Sequence, residues 1–336
     1  MRVLLSGYYG FGNVGDEAIL AALTAGLRQR GHEVEVLSAD PGATRRTLDV
    51  AATHRLTGLP WALARADALV SGGGGLLQDA TSRRSLRYYL GVIRAARATG
   101  LRTVVYGQSI GPLSPRGRTA TARALHGLPV AVRDEASRTL LAQADVASAR
   151  VADAALALPR PERLGGAGLL LVPRAGVAGA REALARLARA AAADGTAVRV
   201  AALQPGADVD EARRIAAAAD GAEVLGLAGP DAALAACAAA DAVVSVRLHG
   251  LILAARAGTP HLGIGYDPKV AGFLSVSGGA RVEVPVPEDA LVAPWRAGAL
   301  AVERDPALGE ALARDAHAGL DWLDRALRGE GDGPSR

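Results

Sequence analysis

The 336 residues of this chain are half apolar, which is enough for one large domain or two domains of ordinary size. The formal net charge is +4, and a single lysine stands among 38 basic residues, so the sequence pI of about 9.6 comes from arginine. These arginines are scattered along predicted helices, and aromatic residues make up 3%, which leaves few platforms for stacking bases. The composition therefore predicts no nucleic-acid partner.

Features that report on the cellular compartment are few. One cysteine, Cys237, excludes an intramolecular disulfide and fits a reducing compartment. The apolar run at the N-terminus is too short for a signal peptide, and no run of about 18 apolar residues is free of charge or glycine. We expect a cytoplasmic protein without a membrane-spanning helix. Peripheral attachment to the inner face of the cytoplasmic membrane is left open.

Strand-like and helix-like runs alternate in the first half, which indicates α/β layering around a parallel sheet. Helices are predicted over residues 15–30 and 84–99. Strands are predicted in "RVLLS", "HEVEVLSA", "ADALVSGGGG", "RTVVYGQSIG" and "LPVAVRDEAS", the last running into a helix, and "ARVADAAL" ends this half.

Proline, glycine and charge concentrate over residues 158–168, and the alternation restarts after them. Strands are predicted in "GLLLVPR", "AVRVAAL", "DAVVSVRLHG" and "PHLGIGYD", and helices over 178–194, 208–219, 231–240 and 306–328. The predicted fold is α/β, with two Rossmann-like domains facing across a cleft. The domains span 1–158 and 168–305, joined by a linker over 159–167 and followed by the terminal helix, 306–328, and a disordered tail, 329–336.

The opening stretch "GYYGFGNVGDEAI" contains the only asparagine, Asn13, and literally matches a glycine-rich dinucleotide fingerprint. Asp16 and Glu17, however, fall in the first turn of the following helix, where carboxylates satisfy the free amides and repel a pyrophosphate. Two readings remain: an acidic helix cap, or an Asp16 that accepts a hydrogen bond from a sugar hydroxyl and acts as its general base.

Two further loops follow predicted strands. In "VSGGGGLLQD", Gly73 and Gly74 allow a backbone to approach a ligand closely or to form an anion nest. In "YGQSIGPLS", Gln108 and Ser109 are neutral polar candidates. Tight packing of the glycines is the alternative for both loops.

Arg133 ends the strand of "VAVRDEAS" and precedes two acids at a helix start. It gains nothing from the helix dipole there. Either it pairs with Asp134 and Glu135, or it is a fixed guanidinium that binds a carboxylate or phosphate.

The segment "SVRLHGLILAARAGTP" places Arg247, Leu248 and His249 where a buried strand turns into a helix predicted over 251–257. Backbone amides at a helix start, with a basic pair beside them, form an anion site, and histidine is suited to proton transfer near neutral pH. The only lysine, Lys269, follows in "GYDPKVAGF", where it offers a compact charge to a ligand or lies by chance on the surface. No His/Cys/Asp spacing resembles a metal site.

Taken together, "GYYGFGNVGDEAIL", "SGGGGLLQDATS", "YGQSIGPL", "VRDEAS", "VSVRLHGLILAARAGTP" and "GYDPKV" resemble the polysaccharide pyruvyl transferase family over residues 2–275. The resemblance is greatest to the bacterial branch that pyruvylates cell-wall polymer precursors. It implies a GT-B-like fold and transfer of the pyruvyl group of phosphoenolpyruvate to two sugar hydroxyls, which forms a cyclic ketal and releases phosphate. The implied acceptor is typically N-acetylmannosamine on a lipid-linked glycan, whose ketal anchors surface-layer proteins.

The resemblance also implies residue roles. Arg133, Arg247, His249 and Lys269 match the family's phosphoenolpyruvate-binding positions, and Asp16 matches an acidic position associated with the acceptor and with catalysis. The first predicted domain is the acceptor side and the second is the donor side. The resulting expectation is that Asp16 and His249 are catalytic. The expected substrate-binding residues are Asn13, Gly73, Gly74, Gln108, Arg133, Arg247, Leu248 and Lys269.

No metal and no cofactor is expected, because phosphoenolpyruvate serves as the donor substrate. The expected partners are this donor and the lipid-linked glycan, and the oligomeric state is left open. Two alternatives stay open: a nucleotide-sugar glycosyltransferase on the same fold, and a non-catalytic polysaccharide-binding protein.

Overall fold

The computed structural model describes residues 1–162, 166–287, 289–298, 300 and 305–330. Internal contacts divide the chain into two compact units. The first unit is Met1–Ala157 together with the residues from Arg314 onward, and the second is Leu158–Ala313. The domain and linker boundaries inferred from the sequence stay predictions. Part of the predicted linker, residues 163–165, and most of the predicted tail, residues 331–336, lie outside the described residues.

A parallel sheet of seven strands, in the order β3-β2-β1-β4-β5-β6-β7, forms the centre of the first unit. Its strands are β1 Arg2–Ser6, β2 Glu33–Ser38, β3 Ala51–His54, β4 Ala68–Gly72, β5 Arg102–Gln108, β6 Val130–Val132 and β7 Ala149–Arg150. The order reverses at β1 and β4, which pair in register with Leu5 opposite Val70. Ligands of doubly wound sheets bind beyond the strand ends at such a reversal.

The helices of this unit are α1 Val14–Gln29, α2 Pro41–Leu48, α3 Leu59–Arg65, α4 Arg83–Ala98, α5 Pro115–Leu125, α6 Glu135–Ala142 and a 3-10 helix, Ala154–Ala157. Side-chain oxygens cap the N-termini of five of them, through Asn13, Asp40, Ser82, Ser114 and Asp134. Each cap satisfies an amide that has no partner within its helix. Helices α3, α4 and α5 share one apolar cluster with one face of the sheet.

The second unit is built on a six-stranded parallel sheet in the order β10-β9-β8-β11-β12-β13. Its strands are β8 Leu169–Val172, β9 Val198–Ala201, β10 Glu223–Leu225, β11 Ala242–Ser245, β12 His261–Gly265 and β13 Ala280–Glu283. Its helices are α7 Ala180–Ala193, α8 Pro205–Ala216, α9 Pro230–Ala239, α10 Leu248–Arg256, α11 Pro268–Ser277 and α12 Val292–Arg296. Here the order reverses between β8 and β11. The loops after these two strands are therefore the expected ligand-binding position of the second unit.

The last helix, α13 Pro306–Arg328, contributes its residues from Arg314 onward to the first unit. Asp321 accepts a hydrogen bond from Arg30 at 2.6 Å, and Asp324 lies 2.7 Å from the buried ring of His32. Gly26 of α1 gives the helix room, because a Cβ there would lie 2.6 Å from Leu320. No helix in the described part of the chain is long and apolar enough to cross a membrane.

The predicted alternation is present, with one correction at the most informative segment. Helix α10 begins at Leu248 rather than at Leu251, so Leu248 and His249 belong to its first turn and not to a preceding loop. Arg247 is its N-cap residue, and the Arg247 N–H is held by Ser245 Oγ at 3.1 Å. Helices α2, α3, α5 and α12 and the short strands β3, β10 and β13 were not predicted from the sequence.

We expect the second unit to lose stability at mildly acidic pH through His261. Its ring is buried, with Nδ1 3.0 Å from Thr259 O and Nε2 2.8 Å from Ser277 Oγ. Burial lowers the pKa of His261, and the Thr259 carbonyl offsets this only in part. The unfolded chain therefore binds a proton first, and stability falls as the pH drops below the ordinary histidine pKa of about 6.5.

The measurement is thermal unfolding at about pH 7.5 and about pH 5.5, on either side of the ordinary histidine pKa. The melting temperature of the wild type should fall more between these values than that of His261→Gln. Equal falls in the two proteins would contradict this role of His261.

Candidate active site

The start of α1 is occupied by the chain's own polar groups. Asn13 Oδ1 accepts a hydrogen bond from Gly15 N at 3.1 Å, and Glu17 Oε1 accepts one from Gly10 N at 2.7 Å. Asp16 lies buried in the first turn. These carboxylates lie where a pyrophosphate would bind in a dinucleotide site, which supports the rejection of that function. Asn13, expected to bind substrate, serves here as the helix cap that positions Asp16.

Gly73 and Gly74 bring the loop after β4 against this turn. Both have left-handed backbone, with φ of 74° and 70°. A Cβ on Gly74 would lie 2.5 Å from Asp16 Oδ1, and a Cβ on Gly73 would clash with Ile19. The Gly73 N–H donates to Tyr106 O at 3.0 Å, so this amide is not available to an anion nest. The glycines thus permit close contact with the Asp16 carboxylate.

Aromatic side chains gather beside Asp16, although the chain has few of them. The rings of Tyr8 and Phe11 stack with centroids 4.1 Å apart. The Arg55 guanidinium lies 3.9 Å from the ring centroid of Tyr88 and 5.4 Å from that of Phe11. Burial, and after it the charge of Asp16, raises the pKa of Tyr8. The result is an aromatic wall next to a carboxylate, which the sequence analysis did not predict.

Gln108 is fully buried between strands β4 and β5. Its Nε2 donates to Ser71 O at 2.9 Å and to Ser71 Oγ at 2.8 Å. Both amide hydrogens are therefore used inside the sheet. Gln108 therefore ties β5 to β4 through its amide nitrogen, and its role in substrate binding stays a prediction.

Arg133, at the end of β6, is held by partners other than the two acids that follow it. Its Nε donates to Ser109 Oγ at 2.8 Å, and its terminal nitrogen pairs with the buried Asp153. Asp134 caps α6 and Glu135 pairs with Arg138. The side chain of Arg133 is 7% exposed, so its guanidinium is fixed and largely withdrawn from solvent.

In the second unit, three neighbouring strands each end in basic or phenolic residues. Arg174 follows β8, Arg247 and His249 follow β11, and Tyr266 and Lys269 follow β12. Because β8, β11 and β12 are adjacent in the sheet, their carboxyl ends lie side by side. We call Arg174, Arg247, His249, Tyr266 and Lys269 the basic cluster.

Arg247 is fixed by a buried acid. Its Nε and a terminal nitrogen lie 2.7 and 2.6 Å from Asp208 Oδ2. The Asp208 side chain is 0% exposed, and its Oδ1 accepts the Ala175 N–H at 3.1 Å. The neighbouring Gly250 is needed because a Cβ there would clash with Ser245 Oγ, which accepts the Arg247 N–H.

Arg174 and Tyr266 form the second fixed pair of the basic cluster. Arg174 donates to Tyr266 Oη at 2.8 Å, and its guanidinium carbon lies 4.7 Å from the ring centroid. Burial raises the pKa of Tyr266, and the charge of Arg174 partly offsets this. The phenol therefore stays protonated at neutral pH and orients the guanidinium.

The remaining sequence candidates lie at helix starts. His249 and Lys269 are half-buried in the first turns of α10 and α11, where helix amides favour an anion. Asp267 caps α11 by accepting the Lys269 N–H at 3.0 Å. Leu248 packs against the small apolar cluster that contains Leu251.

Besides the aromatic wall, four residues of these sites were not predicted from the sequence: Asp153, Arg174, Asp208 and Tyr266. Arg174 follows a buried strand as Arg247 does, so its position after a strand end could have identified it in the sequence. The two acids carried none, because each meets its arginine only in the folded chain. Among the residues with described positions, no group of three or more His, Cys, Asp or Glu side chains lies close enough to hold a metal ion.

Solved structures with a similar fold span nearly the whole chain. Anabaena Alr3699/HepE in complex with UDP has a TM-score of 0.62 and 12% identity, covering 98% of this chain and 100% of that one. S. aureus MnaA with UDP has a TM-score of 0.64, 9% identity and coverage of 98% and 97%. The glycosyltransferase SnogD from Streptomyces nogalater has a TM-score of 0.53, 15% identity and coverage of 98% and 99%. The predicted GT-B-like α/β class is confirmed.

With its two parallel-sheet α/β units, the protein shares the fold class of these solved structures. Comparison with curated proteins gave no significant match. The sequence matches the family described as polysaccharide pyruvyl transferase over residues 13–268, which is more than half of the chain. The chain belongs to the polysaccharide pyruvyl transferase family.

The contact between Gly74 and Asp16 predicts an unequal cost for two alanine substitutions. Gly74 and Gly107 both have positive φ, and alanine costs about 1–2 kcal/mol in that conformation. A Cβ on Gly107 meets nothing within 4 Å, whereas one on Gly74 meets the Asp16 carboxylate. We expect Gly74→Ala to lower the melting temperature well below that of Gly107→Ala. Equal melting temperatures would show that Asp16 does not pack against this loop.

Proposed function

We propose that this protein transfers the pyruvyl group of phosphoenolpyruvate to two hydroxyls of one sugar, forming a cyclic ketal and releasing phosphate. The proposed acceptor is N-acetylmannosamine of a lipid-linked cell-wall polysaccharide precursor, handled on the cytoplasmic side of the membrane without a cofactor. The observation that carries the proposal is the basic cluster at the ends of three adjacent strands. Family membership supports the transfer of a pyruvyl group.

The basic cluster suits a small donor with two anionic groups. Phosphoenolpyruvate carries a carboxylate and a phosphate, and the planar guanidinium groups of Arg174 and Arg247 match both. Asp208 compensates one positive charge while fixing Arg247, so the rest of the neutralisation falls to Arg174, Lys269 and the helix amides at α10 and α11. Arg133 of the first unit, fixed by Asp153, is proposed as a further donor contact.

The site around Asp16 suits a sugar. A carboxylate accepts hydrogen bonds from hydroxyls, and the aromatic wall of Tyr8 and Phe11 offers a surface for the apolar face of a pyranose ring. Glu17 is engaged by the Gly10 amide, which leaves Asp16 as the acid of this turn placed against the glycine loop.

The reaction needs one proton donor and one proton acceptor. A proton adds to the methylene carbon of the enol, and the first sugar hydroxyl attacks the adjacent carbon. Phosphate leaves as its carbon–oxygen bond breaks, and the second hydroxyl attacks the same carbon to close the ketal while its proton passes to the departing phosphate. We assign proton delivery to His249 and proton removal from the hydroxyl to Asp16, and the reverse assignment satisfies the same balance. Each such group contributes roughly 10²–10⁴-fold to the rate.

A nucleotide-sugar glycosyltransferase is the second candidate, since Alr3699/HepE was solved with UDP. Such an enzyme usually needs an acid near the phosphate-binding helix for the ribose hydroxyls. In the second unit the acid near α10 is Asp208, whose two oxygens are taken by Arg247 and the Ala175 amide. This commitment favours phosphoenolpyruvate over a nucleotide sugar. A non-catalytic polysaccharide-binding role is the third candidate, and it predicts no phosphate release.

The functional test separates donor binding from turnover. Lys269→Ala should weaken phosphoenolpyruvate binding about 10- to 100-fold, the usual effect of losing a charged hydrogen bond. Asp16→Asn should bind the donor normally and lose phosphate release. Arg189→Ala, at an exposed arginine of α7, is the matched control and should behave like the wild type.

Donor binding is read from thermal stabilisation and turnover from phosphate released with an N-acetylmannosaminyl glycoside as acceptor. Stabilisation by UDP-sugars but not by phosphoenolpyruvate would reject the proposal. Normal turnover in Asp16→Asn would remove that residue from the mechanism.

The pair of Arg174 and Tyr266 gives a graded prediction. Arg174→Ala removes a charge and should weaken phosphoenolpyruvate binding at least as much as Lys269→Ala. Tyr266→Phe loses only the 2.8 Å hydrogen bond and keeps the ring, so we expect a loss of about 2- to 10-fold. Titration calorimetry provides both constants, and an Arg174→Ala protein with wild-type affinity would exclude this arginine from the donor site.

A further inference from the structure

The middle of the first unit has an unusual charge distribution. Residues 80–133 contain ten arginines and no acidic residue, although the whole chain has a formal net charge of only +4. The remainder of the chain is therefore net negative. The positive charge is therefore concentrated in α4, α5 and their flanks rather than scattered as expected from the sequence, which points to an anionic partner for this region.

The helical geometry gathers most of these arginines on one side. Five lie in α4, and with 3.6 residues per turn all five fall on one side of the helix. They are Arg83, Arg84, Arg87, Arg94 and Arg97, and each is exposed. The opposite side of α4 carries the buried Tyr89, Val92 and Ala96, which belong to the apolar cluster shared with the sheet. The arginines therefore point away from the core.

Helix α5 lies beside α4 and extends this surface. Arg116 and Arg123 of α5, together with Arg94, line an open groove of about 420 Å³. Arg94 and Arg97 donate to the α5 carbonyls of Ala120 and Ala124 at 3.3 and 2.9 Å, which ties the two helices together. These neutral partners leave the positive charge uncompensated. Within the described chain, none of these seven arginines has a carboxylate within 4.0 Å.

An exposed apolar edge adjoins the arginines. Helix α3 packs in the same apolar cluster as α4, on the same face of the sheet. It carries Trp61, which is 71% exposed, and the preceding loop carries Leu56, which is 56% exposed. Arg55 of that loop stacks on Tyr88, which places the loop against α4.

We propose that the outer surface of α3, α4 and α5 binds the surface of an anionic phospholipid bilayer. Arginines near a bilayer are attracted to its phosphates, and tryptophan favours the headgroup level. These features favour a membrane over a nucleic acid. Gly91, Thr119 and Ala120 lie among the arginines of α4 and α5 and are too small to stack on bases. The exposed aromatic side chain, Trp61, is on α3 instead. The choice also agrees with the lipid-linked acceptor of the proposed function, on which it rests in part.

The experiment is co-sedimentation of the full chain with vesicles. The wild type should bind phosphatidylglycerol-containing vesicles and not pure phosphatidylcholine vesicles, and binding should weaken as salt is added. The triple variant Arg87→Gln, Arg116→Gln, Arg123→Gln should lose more than tenfold in affinity, because each arginine near the surface contributes. Trp61→Ala should also bind more weakly.

The matched control is Arg189→Gln, Arg213→Gln, Arg214→Gln, which removes the same charge from exposed positions of the second unit and should bind as the wild type does. Equal affinity of the two triple variants, equal binding to both vesicle types, or retention on duplex DNA without vesicle binding would each overturn the proposal. Stabilisation by phosphoenolpyruvate is measured on the same variants. If phosphoenolpyruvate did not stabilise the wild type, the proposed function would be rejected. The vesicle experiment would still decide whether this surface binds a membrane.

Discussion

The buried ion pair between Asp208 and Arg247 is the interaction on which the arrangement of the second unit depends. A carboxylate that is 0% exposed needs a charged partner, and breaking such a pair is costly because it leaves a buried charge. The pair joins the start of α8 to the start of α10, and it holds Arg247 at the reversal of the sheet order. The first unit repeats the device, since the buried Asp153 holds Arg133 at the end of β6. In both units the carboxylate neutralises the positive charge of its arginine and holds the guanidinium in a fixed position.

The two sites differ in chemistry in a way that fits two different substrates. The second unit presents guanidinium, imidazole and ammonium groups at strand and helix ends, where backbone amides add to the attraction for an anion. The first unit presents a carboxylate, packed against a diglycine turn and bordered by aromatic rings, which suits a neutral ligand rich in hydroxyls. A transfer reaction from a small anionic donor to a sugar needs both kinds of site.

The repeating pattern of buried strands and amphipathic helices was enough to predict the α/β class, because central parallel strands are apolar throughout. The edge strands β10 and β13 were missed since they are short and largely exposed. Helix α5 was missed because its sequence is mostly arginine, alanine and threonine. Asp16, Arg247 and Lys269 could be proposed from the sequence because they follow strand ends, where parallel topology collects polar groups. The partners of the arginines were not found, since Asp208 lies 39 residues from Arg247 and Asp153 lies 20 residues from Arg133. The contact of Gln108 with Ser71 was not predicted, because a glutamine at a strand end can equally well bind inside the sheet.

The most direct test of the account is the origin of the group that is transferred. Purified protein would be incubated with carbon-labelled phosphoenolpyruvate or carbon-labelled UDP-sugar, each with the same N-acetylmannosaminyl glycoside, and the isolated glycan would be analysed by mass spectrometry. The account predicts that label from phosphoenolpyruvate enters the glycan as an acid-labile ketal on two oxygens of one sugar, and that no label enters from the UDP-sugar. Label from the UDP-sugar alone would contradict it.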